Sequence, residues 1–422
     1  MDIISGGRAV RSLAIAACIV ISSTWAALAH AQYDPYSKSE KELRTTESVA
    51  VRTTQHLGNA VAAGGNIVLS VGGAGSLYAF AKNAQGAWAQ TAKLTAPDGG
   101  ALTGPIAFDG TNALVRGYTP AEASVVYYFQ YDGSRWRALA ILRGAANFGH
   151  AIAMDGCTAL ISSAIDDPLA PVPAGQKNFV HFFDRCGTGQ WTYINSISPP
   201  ASASTTFGWS VAVSGLNALV GSPTEGFGGH VYHYIRAGNM WSLRRTFHEF
   251  ANPYNGQFGN AVAISSDLAV VSANYTDGGV GQGQIIRFAV NGNTLSYLGR
   301  EEFYTPFDAQ PYEGFGEKII ITPANVFVSA PARRQSFSAL GWVYAFPREG
   351  ATELGQPSRF TSYDKARMPP EGEDLPVPYH LWTHFGSDIA VTGSTLVVGA
   401  EQFHVPGKPA IVEGRLFSYD IP

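Results

Sequence analysis

The chain has 422 residues, 45% of them hydrophobic. That is more than one ordinary core requires, and a single domain reaches this size most readily by repetition. Only 14% of residues are charged and the formal net charge is -4, so there is no basic footprint for nucleic acid.

The N-terminus reads as a targeting signal over residues 1–31. Arg8 and Arg11 precede an apolar run over 13–28, and Ala29-His30-Ala31 supplies a small-x-small cleavage site before Gln32. Ile15-Ala16-Ala17-Cys18 imitates a lipobox, but the apolar run before Cys18 is too short and continues past it. No later stretch is long and apolar enough to span a bilayer. The expected product is an exported protein, periplasmic or secreted, with no stable membrane insertion once the signal is cleaved. Residues 32–42 read as a flexible leader, and 43–53 alternate like a strand.

A unit then recurs seven times. Each copy opens with a Gly before an alternating Val/Ala strand: Leu57-Gly58, Thr103-Gly104, Phe148-Gly149, Phe207-Gly208, Phe258-Gly259, Phe315-Gly316 and Phe385-Gly386. A tight turn and a second apolar strand follow. The third strand carries large residues two apart: Tyr78/Phe80, Tyr127/Phe129, His181/Phe183, Tyr232/Tyr234, Ile286/Phe288, Tyr344/Phe346 and Phe417/Tyr419. Period two puts each pair on one face of its sheet and excludes a helical repeat. Fourth strands are expected near Trp88, Trp136, Trp191, Trp241, Leu295 and Leu354. Four short antiparallel strands repeated seven times predict an all-β fold, a seven-bladed β-propeller with blades starting near 56, 102, 147, 206, 257, 314 and 384.

The Phe-Gly-x-x-Val-Ala strands, with Lys93-Leu-Thr-Ala-Pro-Asp-Gly-Gly as the linker before one of them, resemble the FG-GAP repeat of integrin-α-type propellers, in particular its bacterial exported form. The resemblance covers about 56–422. It implies a propeller that recognises or adheres to a partner. In that family, blades that bind calcium carry an Asp-x-Asp-x-Asp-Gly-like loop between strands 1 and 2. Here those turns are of the kind Asp109-Gly-Thr-Asn and Ser214-Gly-Leu-Asn, so no metal and no cofactor is expected.

The seventh unit stops after its third strand, so the N-terminal strand at 43–53 is expected to close the ring, making 43–422 one domain. Cys157 opens strand 2 of the third unit and Cys186 closes strand 3, neighbouring positions that predict a disulfide in an exported chain. Buried free thiols are the competing reading.

Connections alternate between the two faces of a propeller. The 1–2 and 3–4 turns are short, whereas the 2–3 and 4–1 connections vary and carry the unusual residues. The ligand-binding candidates are Tyr254, Tyr275, Asp277, Tyr312, Arg333, Arg334, Trp382, Phe403 and His404. Tyr304, Phe307, Phe337, Tyr379, Asp166, Asp167, Glu225 and Lys408 lie beside them in the sequence. Stacking rings next to hydrogen-bonding groups suit a glycan or a protein ligand.

Catalytic patterns are weak. Gly208-Trp-Ser shares only its first half with a nucleophile elbow and repeats the structural Phe-Gly strand. His230 and His233 are three apart on a strand and point to opposite faces, so they share no metal. The expectation is a non-catalytic binding or adhesion propeller. A polysaccharide lyase or hydrolase on the same scaffold and a structural subunit of an envelope assembly are the alternatives.

Overall fold

The structure, a computed structural model, describes residues 40–45, 57–72, 75–164, 178–199, 206–226, 228–248, 256–273, 283–298, 314–331, 341–361, 384–405 and 408–421. It forms seven four-stranded antiparallel sheets. Blade 1 is β2 (Ala60–Gly64), β3 (Ile67–Gly72), β4 (Ser76–Lys82) and β5 (Trp88–Thr95). Blade 2 is β6 (Ala101–Phe108), β7 (Asn112–Tyr118), β8 (Ser124–Tyr131) and β9 (Trp136–Leu142). Blade 3 is β10 (Phe148–Asp155), β11 (Thr158–Ser163), β12 (Phe179–Asp184) and β13 (Thr192–Ile197). Blade 4 is β14 (Ser210–Ser214), β15 (Asn217–Ser222), β16 (His230–Ala237) and β17 (Met240–His248). Blade 5 is β18 (Phe258–Ile264), β19 (Leu268–Ala273), β20 (Gln284–Asn291) and β21 (Thr294–Tyr297). Blade 6 is β22 (Ile319–Ile321), β23 (Asn325–Ala330), β24 (Trp342–Pro347) and β25 (Ser358–Phe360). Blade 7 is β26 (Phe385–Thr392), β27 (Thr395–Val405) and β28 (Lys408–Asp420), completed by β1 (Lys41–Leu43).

First strands of neighbouring blades touch one another round a closed circle, with β26 against β2, so they are the inner strands of the ring. The period-two pairs on the third strands are all buried, and each packs against the preceding blade. Tyr127 and Phe129 meet Leu69 and Val71 of blade 1, and Phe417 and Tyr419 meet Phe327 and Val343 of blade 6. The hydrophobic core is thus seven inter-blade layers rather than one centre. Each fully buried Phe in such a layer contributes about 1.5–3 kcal/mol.

The repeated Gly has a backbone reason. All seven have positive φ, between +74° and +95°. Just past it, the pairing of the inner strand slips, between Leu102 and Ile106, Phe148 and Ile152, Phe258 and Val262, and Phe385 and Ile389. A bulge leaves an N–H without its ladder partner. In blades 3 and 5 a buried serine on the second strand accepts it, Ser162 from Ala151 N–H at 2.9 Å and Ser272 from Ala261 N–H at 2.9 Å, and Ser329 accepts Lys318 N–H at 3.1 Å in blade 6.

Three expectations are corrected. The closing strand is β1, earlier than 43–53. Leu43 stands opposite Leu416 and drops into the layer between blades 7 and 1, while 46–56 lie outside the described residues. The closing strand therefore begins inside the segment that reads as leader. The outer strand of blade 6 starts at Ser358, because Leu354 forms only an isolated bridge to Arg348. In blade 7 the expected 2–3 loop is largely a long hairpin, since β27 and β28 keep pairing outward through Phe403↔Glu413 and His404↔Val412.

Candidate functional site

The two faces of the ring are built differently. On the face of the 1–2 and 3–4 turns, cations at the ends of third strands reach back to the preceding blade. Arg185 meets Asp109 at 3.4 Å, Arg348 meets Asp267 at 2.6 Å and Lys82 meets Asp420 at 3.6 Å. Arg236 pairs with Asp184 in a mostly buried contact and also donates to the Thr158 hydroxyl at 3.0 Å. In the β6–β7 turn, Asp109 Oδ1 accepts the N–H groups of Thr111 and Asn112 at 2.8 and 2.7 Å, which is turn chemistry. The polar groups of this face hold blades together.

On the opposite face, inner strands begin at the repeat Gly, and the next residue varies from blade to blade, with only Asn used twice: Asn59, Pro105, His150, Trp209, Asn260, Glu317 and Ser387. A cavity of about 310 Å³ opens there, lined by Pro105, His150, Trp209, Asn260 and Glu317 together with the two residues following each of the last four. It spans the inner strands of blades 2 to 6 and is the mouth of the central channel. Two of its polar groups, and Ser387 outside it, also tie one blade to the next at the Gly carbonyl. Ser210 Oγ donates to Gly259 O at 2.8 Å, Asn260 Nδ2 to Gly316 O at 3.5 Å and Ser387 Oγ to Gly58 O at 3.1 Å. Ser210 is therefore an inter-blade tie.

What remains is chemically pointed. Trp209 and His150, from adjacent blades, place their ring centroids 4.8 Å apart with planes tilted by 50°. Glu317 is half-buried and Lys318 exposed. At the position equivalent to Lys318, one blade on, Asp388 Oδ2 accepts Val61 N–H of blade 1 at 2.8 Å, and its Oδ1 accepts Ile389 N–H at 3.1 Å. Burial pushes the Asp388 carboxyl above the ordinary range, opposed by Lys318 and by these two N–H groups.

Of the residues singled out from the sequence, Tyr254, Tyr275, Asp277, Tyr312, Arg333, Arg334 and Trp382 lie outside the described residues, as do Tyr304, Phe307, Phe337, Tyr379, Asp166 and Asp167. Phe403, His404 and Lys408 belong to the β27–β28 hairpin. Glu225 is engaged within the protein: the Tyr232 hydroxyl donates to its Oε1 at 2.6 Å. Burial and then that bond push the phenol well up. His150, Trp209, Asn260, Glu317 and Lys318 are not among the residues that the sequence pattern singles out. The signal they carry is irregularity at the one or two positions that follow the repeat Gly in otherwise regular strands.

His230 stacks on His248 with centroids 5.5 Å apart, while the buried His233 hydrogen-bonds Asn217 Oδ1 at 2.9 Å, so the two point apart as the alternation requires. Cys157 and Cys186 form a disulfide with Cα atoms 5.3 Å apart, at the end of the β11–β12 hairpin remote from the channel mouth. Neither cysteine is buried, which removes the thiol reading. Cys157, Asp184 and Cys186 are the one cluster of metal-type ligands among the described residues, and the disulfide and Arg236 consume it. A disulfide fits an oxidising compartment. No helix among the described residues is long and apolar enough to cross a membrane.

No protein-family model matches the chain, and no curated protein matches it. Solved structures do. The Neurospora crassa Pan2 WD40 domain is 10% identical with a TM-score of 0.50, covering 91% of this chain and 96% of that one. A chain of the Mitotic Checkpoint Complex is 12% identical with a TM-score of 0.50, covering 90% and 94%. A putative 6-phosphogluconolactonase from Bacteroides uniformis is 15% identical with a TM-score of 0.48, covering 72% and 85%. At these identities the likeness is one of fold. The protein is a seven-bladed β-propeller, a scaffold that supports binding in general.

Proposed function

We propose that this is an exported, non-catalytic recognition or adhesion propeller of the bacterial FG-GAP type. It binds a protein or glycan ligand on the face of the 2–3 and 4–1 connections, centred on the channel mouth. The observation that carries the reading is the contrast between the faces. One spends its charges on inter-blade pairs, and the other presents a cavity where five equivalent positions hold Pro105, His150, Trp209, Asn260 and Glu317, five residues of different chemistry. Tyr254, Tyr275, Asp277, Tyr312, Arg333, Arg334, Trp382, Phe403 and His404 would extend that surface outward from the mouth. The signal over 1–31 and the disulfide support export.

Screening the mature protein on a glycan array and by pull-down tests this reading. A ligand whose binding falls when Tyr312, Trp382 and Phe403 are each changed to Ala supports it. A ligand indifferent to all three, and lost instead by changes among the 1–2 and 3–4 turns, overturns it.

A polysaccharide-acting enzyme is the second reading, favoured by the titratable groups His150, Glu317, Lys318 and Asp388 around the channel mouth. It predicts product release from a polymer panel that Glu317→Gln abolishes. An assembly subunit would need a broad apolar patch. Among the described residues, the exposed apolar side chains of the outer strands are Leu139, Tyr193, Met240, Leu243 and Tyr297, of which only Met240 and Leu243 share a strand, a scattering normal for any surface.

A further inference from the structure

We infer that the cavity at the channel mouth holds one neutral pyranose ring of a glycan, with Trp209 as its stacking platform. This rests on the recognition reading and narrows its ligand from protein or glycan to glycan.

Size is the first argument. About 310 Å³ is at the lower end of ligand cavities, room for a single ring with its hydroxyls rather than for a folded peptide element. The wall is the second. A pyranose has an apolar C–H face and a rim of hydroxyls that both donate and accept. Trp209 offers a half-buried indole plane, braced by His150 from the neighbouring blade at 4.8 Å. Val211, Val262 and Ile319 continue the apolar wall. The rim has matching polar chemistry: the Glu317 carboxylate accepts, the Lys318 ammonium donates, and Asn260 Oδ1 accepts while its Nδ2 is turned to Gly316 O. Charge is the third argument. Glu317 and Lys318 are adjacent and of opposite sign, and the next carboxyl round the ring, Asp388, is held by two backbone N–H groups. This wall balances its own charge and asks for a ligand without any.

The test is titration of the mature protein with cello-, xylo-, manno-, malto- and chito-oligosaccharides, followed by tryptophan fluorescence and calorimetry. One series should bind saturably with one site per chain. Trp209→Ala should then weaken it about tenfold or more, and Trp209→Phe, which keeps a smaller ring, by less. Glu317→Gln is the second variant. It removes a carboxylate from the rim without touching the platform, and should weaken binding too. Because Trp209→Ala removes packing as well, each variant is first matched to the parent in thermal midpoint. If Trp209→Ala fails to fold, Trp209→Phe and Glu317→Gln carry the test, and unchanged affinity in both overturns the inference. Binding indifferent to all three variants sinks the cavity and leaves glycan recognition elsewhere on the face. Capture of a protein through the loop face, with no sugar bound, sinks the pyranose and leaves the recognition reading standing. Neither sugar nor protein binding sinks both.

Discussion

At Gly259 the backbone φ is +94°, and a methyl group built there would sit 2.7 Å from the carbonyl oxygen of His230 in the preceding blade. Conformation and space both forbid a side chain. Gly238, in the β16–β17 turn, also has positive φ, +60°, but open space around it. Gly259→Ala should therefore cost about 2–4 kcal/mol in urea unfolding, and Gly238→Ala about 1 kcal/mol, the difference being the steric part. Histidine makes a second residue-scale prediction. Burial lowers His181 and His233 to about 4. In the unfolded chain they titrate near 6.5. Between these values the unfolded chain binds more protons, so stability rises with pH and is lost as pH falls from 6.5 toward 4. Asp388 has the opposite sign. Its raised carboxyl favours the fold in acid, and that contribution fades as pH climbs through its folded value. The histidines should dominate over pH 6.5 to 4. The thermal midpoint should drop there, and His233→Gln should flatten the drop relative to its own neutral-pH value.

At the scale of single elements, the blade 3 hairpin is closed at one end by a covalent bond. The disulfide joins residues separated by 29 positions, and the expected loss on replacing both cysteines with serine is about 3–4 kcal/mol by loop-closure entropy. Urea midpoints with and without reductant measure it, and the double variant should be indifferent to reductant. Nearby, Arg236 and Asp184 lock blade 4 to blade 3 with little exposure, unlike the open Lys41–Asp420 pair at 3.7 Å. A double-mutant cycle of Arg236→Met and Asp184→Asn should give a coupling of about 1–3 kcal/mol, against under about 1 kcal/mol for Lys41 and Asp420. That disulfide, the third-strand aromatic pairs and the Phe-Gly starts were legible in the sequence because each obeys a local period or a fixed strand position. The β27–β28 hairpin was not, because Pro406-Gly407 in a long connection reads as loop, while strand pairing carries the backbone on through Val405↔Lys408.

The whole molecule explains why the candidate site escaped a linear reading. Trp209 meets His150 only because consecutive blades stand side by side, and Asp388 meets Val61 only because the seventh blade returns to the first. Repetition made the scaffold readable, but it also averaged away the unlike residues, Pro105, His150, Trp209, Asn260 and Glu317, that line the cavity from blades 2 to 6. Closure itself depends on few contacts. β1 is three residues long, yet it covers the outer edge of β28 and places Leu43 among Val68, Phe80 and Leu416. Around it, Arg415 reaches Glu42 at 3.4 Å and the Tyr419 hydroxyl donates to Glu40 at 2.8 Å. Leu43→Asp would put an unpaired carboxylate into that layer, at a cost of several kcal/mol. Because the layer joins the first blade to the last, the damage should not stay local. The seam between blades 7 and 1 should open first, so that calorimetry shows a low-temperature transition split from the main one. The freed β28 edge should at the same time favour self-association in size-exclusion chromatography. Leu43→Val keeps an apolar side chain there and should preserve a single transition and the parent's elution. If Leu43→Asp also melts in one step at the parent temperature, the short N-terminal strand is not what holds the ring closed.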